Sequence, residues 1–163
     1  MKNSLSLPSM TVFGLLMASA PEATALQSTQ IGPQQIITNT ATGVADSAAA
    51  DLDGDGDIDI VAAATGGNLV RRYRNNGNGT WSTFNLVTNM PNTTCVHVAD
   101  MDGDGDMDIL AGAPGNFFPP GSGNQLKVIR NNGNGTFTTT TINQDVSAIW
   151  DVTSADMDGD GDL

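Results

Sequence analysis

Apolar residues occur along this chain in short bursts, separated by clusters of Gly, Asn, Asp and Pro. Thr-, Val- and Ile-rich stretches between such punctuation favour extended chain over helix. The pattern predicts strands at residues 47–50, 58–64, 69–74 and 80–87, and again at 96–99, 107–113, 126–130 and 136–142. The Asn76-Gly77 and Asn132-Gly133 pairs are expected to supply the positive φ angles of tight hairpins.

The chain also aligns on itself. Asp51-Leu-Asp-Gly-Asp-Gly-Asp-Ile-Asp recurs from Asp100 and again from Asp156, at periods of 49 and 56 residues. A second motif, Arg74-Asn-Asn-Gly-Asn-Gly-Thr-Trp81, recurs as Arg130-Asn-Asn-Gly-Asn-Gly-Thr-Phe137, each 26 residues before the next Asp loop. The 7 extra residues of the longer period fall around residues 115–123. Four antiparallel strands in a unit of roughly 50 residues describe one blade of a β-propeller.

The predicted class is therefore all-β. The expected layout is a linker or first strand at residues 26–43, one blade at 44–92, a second at 93–148 with an inserted loop at 115–123, and the start of a third at 149–163. A single blade buries too little apolar surface to be stable, and rings close with about four or more. The chain is accordingly expected to be a truncated piece of a longer protein, cut inside its third Asp loop.

Charge sharpens this picture. Of 18 acidic residues, 14 lie in the three Asp loops, and the chain has only 6 Lys plus Arg for a net charge of -12. No basic stripe with interleaved aromatics appears, so nucleic acid is not an expected partner. The acidity points to a cation. Calcium takes six to eight oxygens, and a nine-residue loop can wrap it with carboxylates at alternating positions and glycine at the bend. Positions 1, 3, 5 and 9 would give side chains and position 7 its backbone carbonyl. The predicted ligands are Asp51, Asp53, Asp55, Asp57 and Asp59 in the first loop. They are Asp100, Asp102, Asp104, Asp106 and Asp108 in the second, and Asp156, Asp158, Asp160 and Asp162 in the third. No basic residue is near in sequence, so the loops are expected to be poorly ordered without a cation. An EF-hand shares the opening DxDxDG but needs Glu at position 12, which here is Ala62 or Ala111.

These residues resemble the FG-GAP/VCBS repeat family, whose propeller is also that of integrin α-chain heads. The DxDGDGxxDI loop and the RNNGNGTF turn carry the resemblance, over roughly residues 44–163. It implies that the loop joins the first two strands of a blade and binds calcium, in a ring of seven or eight blades. The Phe-Gly signature is absent and Gly-Ala-Pro occurs only at residues 112–114, a departure from the integrin version of the motif.

At the N-terminus, Lys2, an apolar run over residues 10–20 and Ala23-Thr-Ala25 read as a secretory signal peptide of residues 1–25. The run is too short for a membrane-spanning helix, which needs about 20 apolar residues. A secreted or cell-surface location is expected, without membrane insertion. Antiparallel connectivity puts the Asp loops and the NNGNG turns at one end of the strands and the 115–123 insertion at the other. Phe117 and Phe118 in that insertion are candidate contacts for an extracellular carbohydrate or protein ligand. Trp81 and Phe137 hold equivalent positions and read as packing residues, and Trp150 precedes the third loop. Cys95 reads as a small buried apolar side chain, and His97 as structural and unpartnered. Asn78, Asn92 and Asn134 fit the N-glycosylation pattern. The expectation is a calcium-stabilised extracellular binding or adhesion module. The alternative is the propeller part of a secreted polysaccharide lyase or hydrolase with its catalytic residues elsewhere, since no catalytic constellation is visible here.

Overall fold

The computed structural model describes residues 35–115, 123–143, 148–159, 161 and 163. The expected signal segment, Phe117, Phe118, Asp160 and Asp162 lie outside the described residues. The chain divides into units Met1–Ile36 and Ile37–Leu163, and the second carries both sheets.

The described residues hold eight strands, in order: β1 Val44–Ala50, β2 Asp59–Ala64, β3 Leu69–Asn75, β4 Trp81–Val87, β5 Cys95–Ala99, β6 Asp108–Ala113, β7 Gln125–Asn131 and β8 Phe137–Asn143. They make two four-stranded sheets, β1-β2-β3-β4 and β5-β6-β7-β8, each a fully antiparallel meander. The only helical element among the described residues is a single 3-10 turn at Thr65–Gly67. No helix in them is long and apolar enough to cross a membrane. The fold is the predicted all-β arrangement of propeller-type blades.

The second strand of each sheet is its most buried. The sequences DIVAAA in β2 and DILAGA in β6 are small and apolar after the leading Asp, so both of their faces can be covered. Neighbouring chain lies tight against them: at Gly112 a Cβ would collide with the side chains of Ile149 and Cys95. Cys95 is accordingly buried, and burial pushes its thiol pKa up, as befits a packing residue.

The two sheets share one core. Val61, Ala63 and Val70 of the first blade join Val96, Ile109, Ala111 and Ile129 of the second. β1 runs beside β5, and the Asp46 carboxylate on β1 accepts the Val96 amide of β5 at 2.9 Å. At the end away from the Asp loops, Thr65 Oγ1 donates to the Thr93 carbonyl at 2.7 Å, and the Met90 amide donates to the Asn68 carbonyl at 2.9 Å. His97, expected to lack a partner, has one: its Nε2 lies 3.1 Å from Ser154 Oγ.

At the Asp-loop end the joint is Leu52, the second residue of the first loop. It is 1% exposed and belongs to the shared core. Its backbone carbonyl accepts the Asn131 side-chain amide of the second blade at 2.8 Å, in a buried position. The first Asp loop is thereby bolted to the neighbouring blade by an apolar plug and a buried hydrogen bond. Burying a leucine contributes about 2–3 kcal/mol, and the bond about 1 kcal/mol more.

Asn75 is the equivalent of Asn131 in the first blade. Both accept the N–H of the following turn glycine, but among the described residues only Asn131 also reaches a neighbouring loop. Asn131→Ala should therefore cost about 1–3 kcal/mol more than Asn75→Ala, because it leaves the Leu52 carbonyl buried and unpaired. Urea denaturation of the two variants checks this.

Candidate metal centre

The first two Asp loops each join the first and second strands of a blade, β1 to β2 and β5 to β6. The first residue organises each loop: Asp51 Oδ1 accepts the Gly54 amide at 2.9 Å and its Oδ2 accepts the Gly56 amide at 2.8 Å. Asp100 does the same with the amides of Asp104 at 3.1 Å and Gly105 at 2.9 Å. In the third loop Asp156 accepts from Gly159 at 2.6 Å and Gly161 at 3.0 Å. The glycines at the bend have positive φ, +89° at Gly56, +94° at Gly105 and +101° at Gly161, which only glycine adopts without strain.

This wrapping brings three carboxylates together in each complete loop. Oxygens of Asp51, Asp53 and Asp55 lie within 4.8 Å of one another, as do those of Asp100, Asp102 and Asp104. Asp59 and Asp108 stand apart at the start of their strands, each fully buried. Asp59 Oδ1 accepts the Asn75 amide at 2.8 Å, and Asp108 Oδ1 accepts the Asn131 amide at 2.7 Å. The Asp57 and Asp106 side chains turn away to lie against Gly77 and Gly133 of the NNGNG turns. The two sequence motifs are thus two halves of one structure.

Those turns also differ from expectation. Their positive φ angles belong to the glycines alone, +70° at Gly77 and +82° at Gly79, with +68° and +80° at Gly133 and Gly135. Asn76 and Asn132 act through their side chains, which donate to Thr80 Oγ1 and Thr136 Oγ1 at 2.9 Å. The hairpins are five-residue loops closed by Asn76 N–H to Thr80 carbonyl and Asn132 N–H to Thr136 carbonyl, both at 3.0 Å.

The absence of a compensating base near in sequence is made good in space. Arg74 on β3 reaches Asp53 at 2.6 Å and Asp55 at 3.2 Å, and Arg130 on β7 reaches Asp102 at 2.7 Å. The Arg74 contact to Asp53 is close but not aligned as a hydrogen bond. Arg72, 5% exposed, pairs with Asp53 at 2.9 Å and with Asp59, donating to it through Nε at 2.9 Å and also through its terminal nitrogen. The sequence signal for this was the alternation in β3: residues 72 and 74 share the face that looks onto the start of β2. Asp53, Arg72, Arg74 and Phe137 line one cleft of about 330 Å³ between the blades.

Protonation follows these contacts. The Asp57 amide, then Arg74, holds the Asp55 carboxyl below its ordinary range. Burial pushes Asp108 above that range, against the lowering effect of the Asn131 and Met101 amides.

The donor set is entirely oxygen, which suits a hard cation. Among the described Asp-loop residues, one buried carboxylate oxygen has no hydrogen-bond partner: Asp53 Oδ1. A buried carboxylate oxygen left unpaired is costly unless a cation completes it, so the residues fit a metal ion.

Meander blades of this kind, each opening on an Asp loop, define an all-β repeat protein of propeller type. The chain matches the FG-GAP-like repeat over residues 51–111 and 117–163, and the FG-GAP repeat over residues 96–136. It belongs to the FG-GAP repeat family. Comparison with curated proteins finds no match.

Two outcomes are expected. Gly77→Ala and Gly133→Ala should each destabilise by about 1 kcal/mol or more beyond Gly79→Ala and Gly135→Ala. All four positions carry the positive-φ penalty, but only the first pair meets an Asp carboxylate. Thermal denaturation ranks them. In metal-free protein, carboxyl NMR titration should place the Asp55 midpoint below and the Asp108 midpoint above the ordinary 3.8. Stability from Asp55 is present above its unfolded pKa and is lost as pH falls through its folded value. The cost of the Asp108 charge is felt at neutral pH and relieved as pH falls through its raised value.

Proposed function

We propose that this protein is a secreted, calcium-stabilised repeat module that binds an extracellular carbohydrate or protein. The observation that carries the calcium reading is the recurrence of one carboxylate triad in two loops, with a buried Asp53 oxygen still lacking a partner. In the first loop the cation is held by Asp51, Asp53 and Asp55 and the Asp57 carbonyl, with Asp59 buried behind them as the partner of Arg72. In the second it is held by Asp100, Asp102 and Asp104 and the Asp106 carbonyl, with Asp108 behind them, and Asp156, Asp158, Asp160 and Asp162 begin a third set. The calcium supplies fixed positive charge that offsets carboxylate repulsion and is structural. Because Leu52 and Asn131 tie the first loop to the next blade, a cation there also firms the joint between blades.

Recognition is assigned to the opposite end of the strands, on the insertion that carries Phe117 and Phe118. The secretory reading of residues 1–25 supports an extracellular setting, where millimolar calcium is available. The NNGNG turns leave Asn78 and Asn134 committed to their own Thr80 and Thr136 amides at 3.0 and 3.1 Å, so these sites need no glycan to explain their sequence.

Millimolar calcium should raise the melting temperature of chelator-treated protein by several degrees, and Asp51→Asn with Asp100→Asn should abolish the shift. An unchanged melting temperature removes calcium from the account. On a glycan array, Phe117→Ala with Phe118→Ala should lose binding while the calcium shift persists. Binding that survives this pair places recognition elsewhere.

A further inference from the structure

The two Asp loops are alike in sequence but not in the charge that faces them. In register, the residue of the first blade paired with Val61 is Arg72, and the residue of the second paired with Leu110 is Val128. Arg74 and Arg130 are equivalent and common to both loops. The first loop thus faces two guanidinium groups where the second faces one.

The extra group is also the one that cannot leave. Arg74 and Arg130 have side chains 40% and 51% exposed, so each can swing into water when a metal ion arrives. Arg72 is 5% exposed, and its guanidinium lies 5.9 Å from the ring centre of Phe137 on the neighbouring blade. It is held between that ring and two carboxylates. Moving it out would strip a buried Asp59 of its charge partner, and leaving it in place sets a fixed positive charge beside the cation. The second blade satisfies the matching oxygen with a neutral donor: Asp108 Oδ2 accepts the Met101 amide at 3.2 Å.

We propose that Arg72 is a built-in counter-cation that grades the two sites: the first loop keeps its shape at low calcium and binds the ion weakly, while the second binds it tightly and depends on it. This rests on the calcium reading above. A fixed unit charge at such short range in a partly buried site changes cation affinity by about ten- to a hundredfold.

The test is calorimetric titration of the full chain with calcium chloride, one loop at a time. The first loop is isolated by Asp100→Asn, Asp104→Asn, Asp156→Asn and Asp158→Asn, and the second by Asp51→Asn, Asp55→Asn, Asp156→Asn and Asp158→Asn. On the first background, Arg72→Val should tighten calcium binding about tenfold or more, lower the melting temperature in chelator and enlarge the calcium-induced rise. On the second, Val128→Arg should weaken binding by a similar factor. If Arg72→Val folds only when calcium is added, that rescue itself supports the proposal, and Val128→Arg remains an independent arm. Parental loops of equal affinity, unmoved by either substitution, overturn the grading alone. No heat from either parental loop overturns the calcium reading and the grading with it.

Discussion

Crowded carboxylates are the constraint around which each blade is organised. Wrapping nine residues so tightly that three Asp side chains come within 4.8 Å is unfavourable by simple repulsion. Backbone amides of the loop answer part of it, and arginines on the third strand answer more. The Asp loop therefore cannot be understood apart from β3 and β7, whose residues stand behind it, or from the NNGNG turns, whose glycines make room for Asp57 and Asp106.

The same loop serves the contact between blades. Leu52 sits between the first and second carboxylates in sequence, yet its side chain enters the core shared with the second blade and its carbonyl takes a hydrogen bond from Asn131. Electrostatics on one side of the loop and packing on the other are thus locked into one backbone conformation. Arg72 makes a second such tie, pairing with Asp53 and Asp59 while lying over Phe137 of the neighbouring blade.

Much of this was legible in the sequence because repetition exposes geometry. Equal spacing from each NNGNG motif to the next Asp loop fixed a repeat of about 50 residues, and alternation with Gly and Asn punctuation placed all eight strands to within a few residues. Less legible was what lies across the strands. Arg72 and Arg74 are far from the Asp loops along the chain and meet them only through the β2–β3 pairing. Asn131 reads as a turn residue until the neighbouring blade is in place. His97 found Ser154, 57 residues away, by the same long-range route. Pairwise contacts between blades leave no local pattern, so sequence reasoning passes over them.

The most direct test of the central claim is a crystal structure of the protein grown in calcium chloride, with an anomalous difference map. The account predicts one peak among Asp51, Asp53 and Asp55 and another among Asp100, Asp102 and Asp104, with Asp53 Oδ1 drawn onto the first. Empty density at both places, with Arg74 and Arg130 still paired to the same carboxylates, would contradict it.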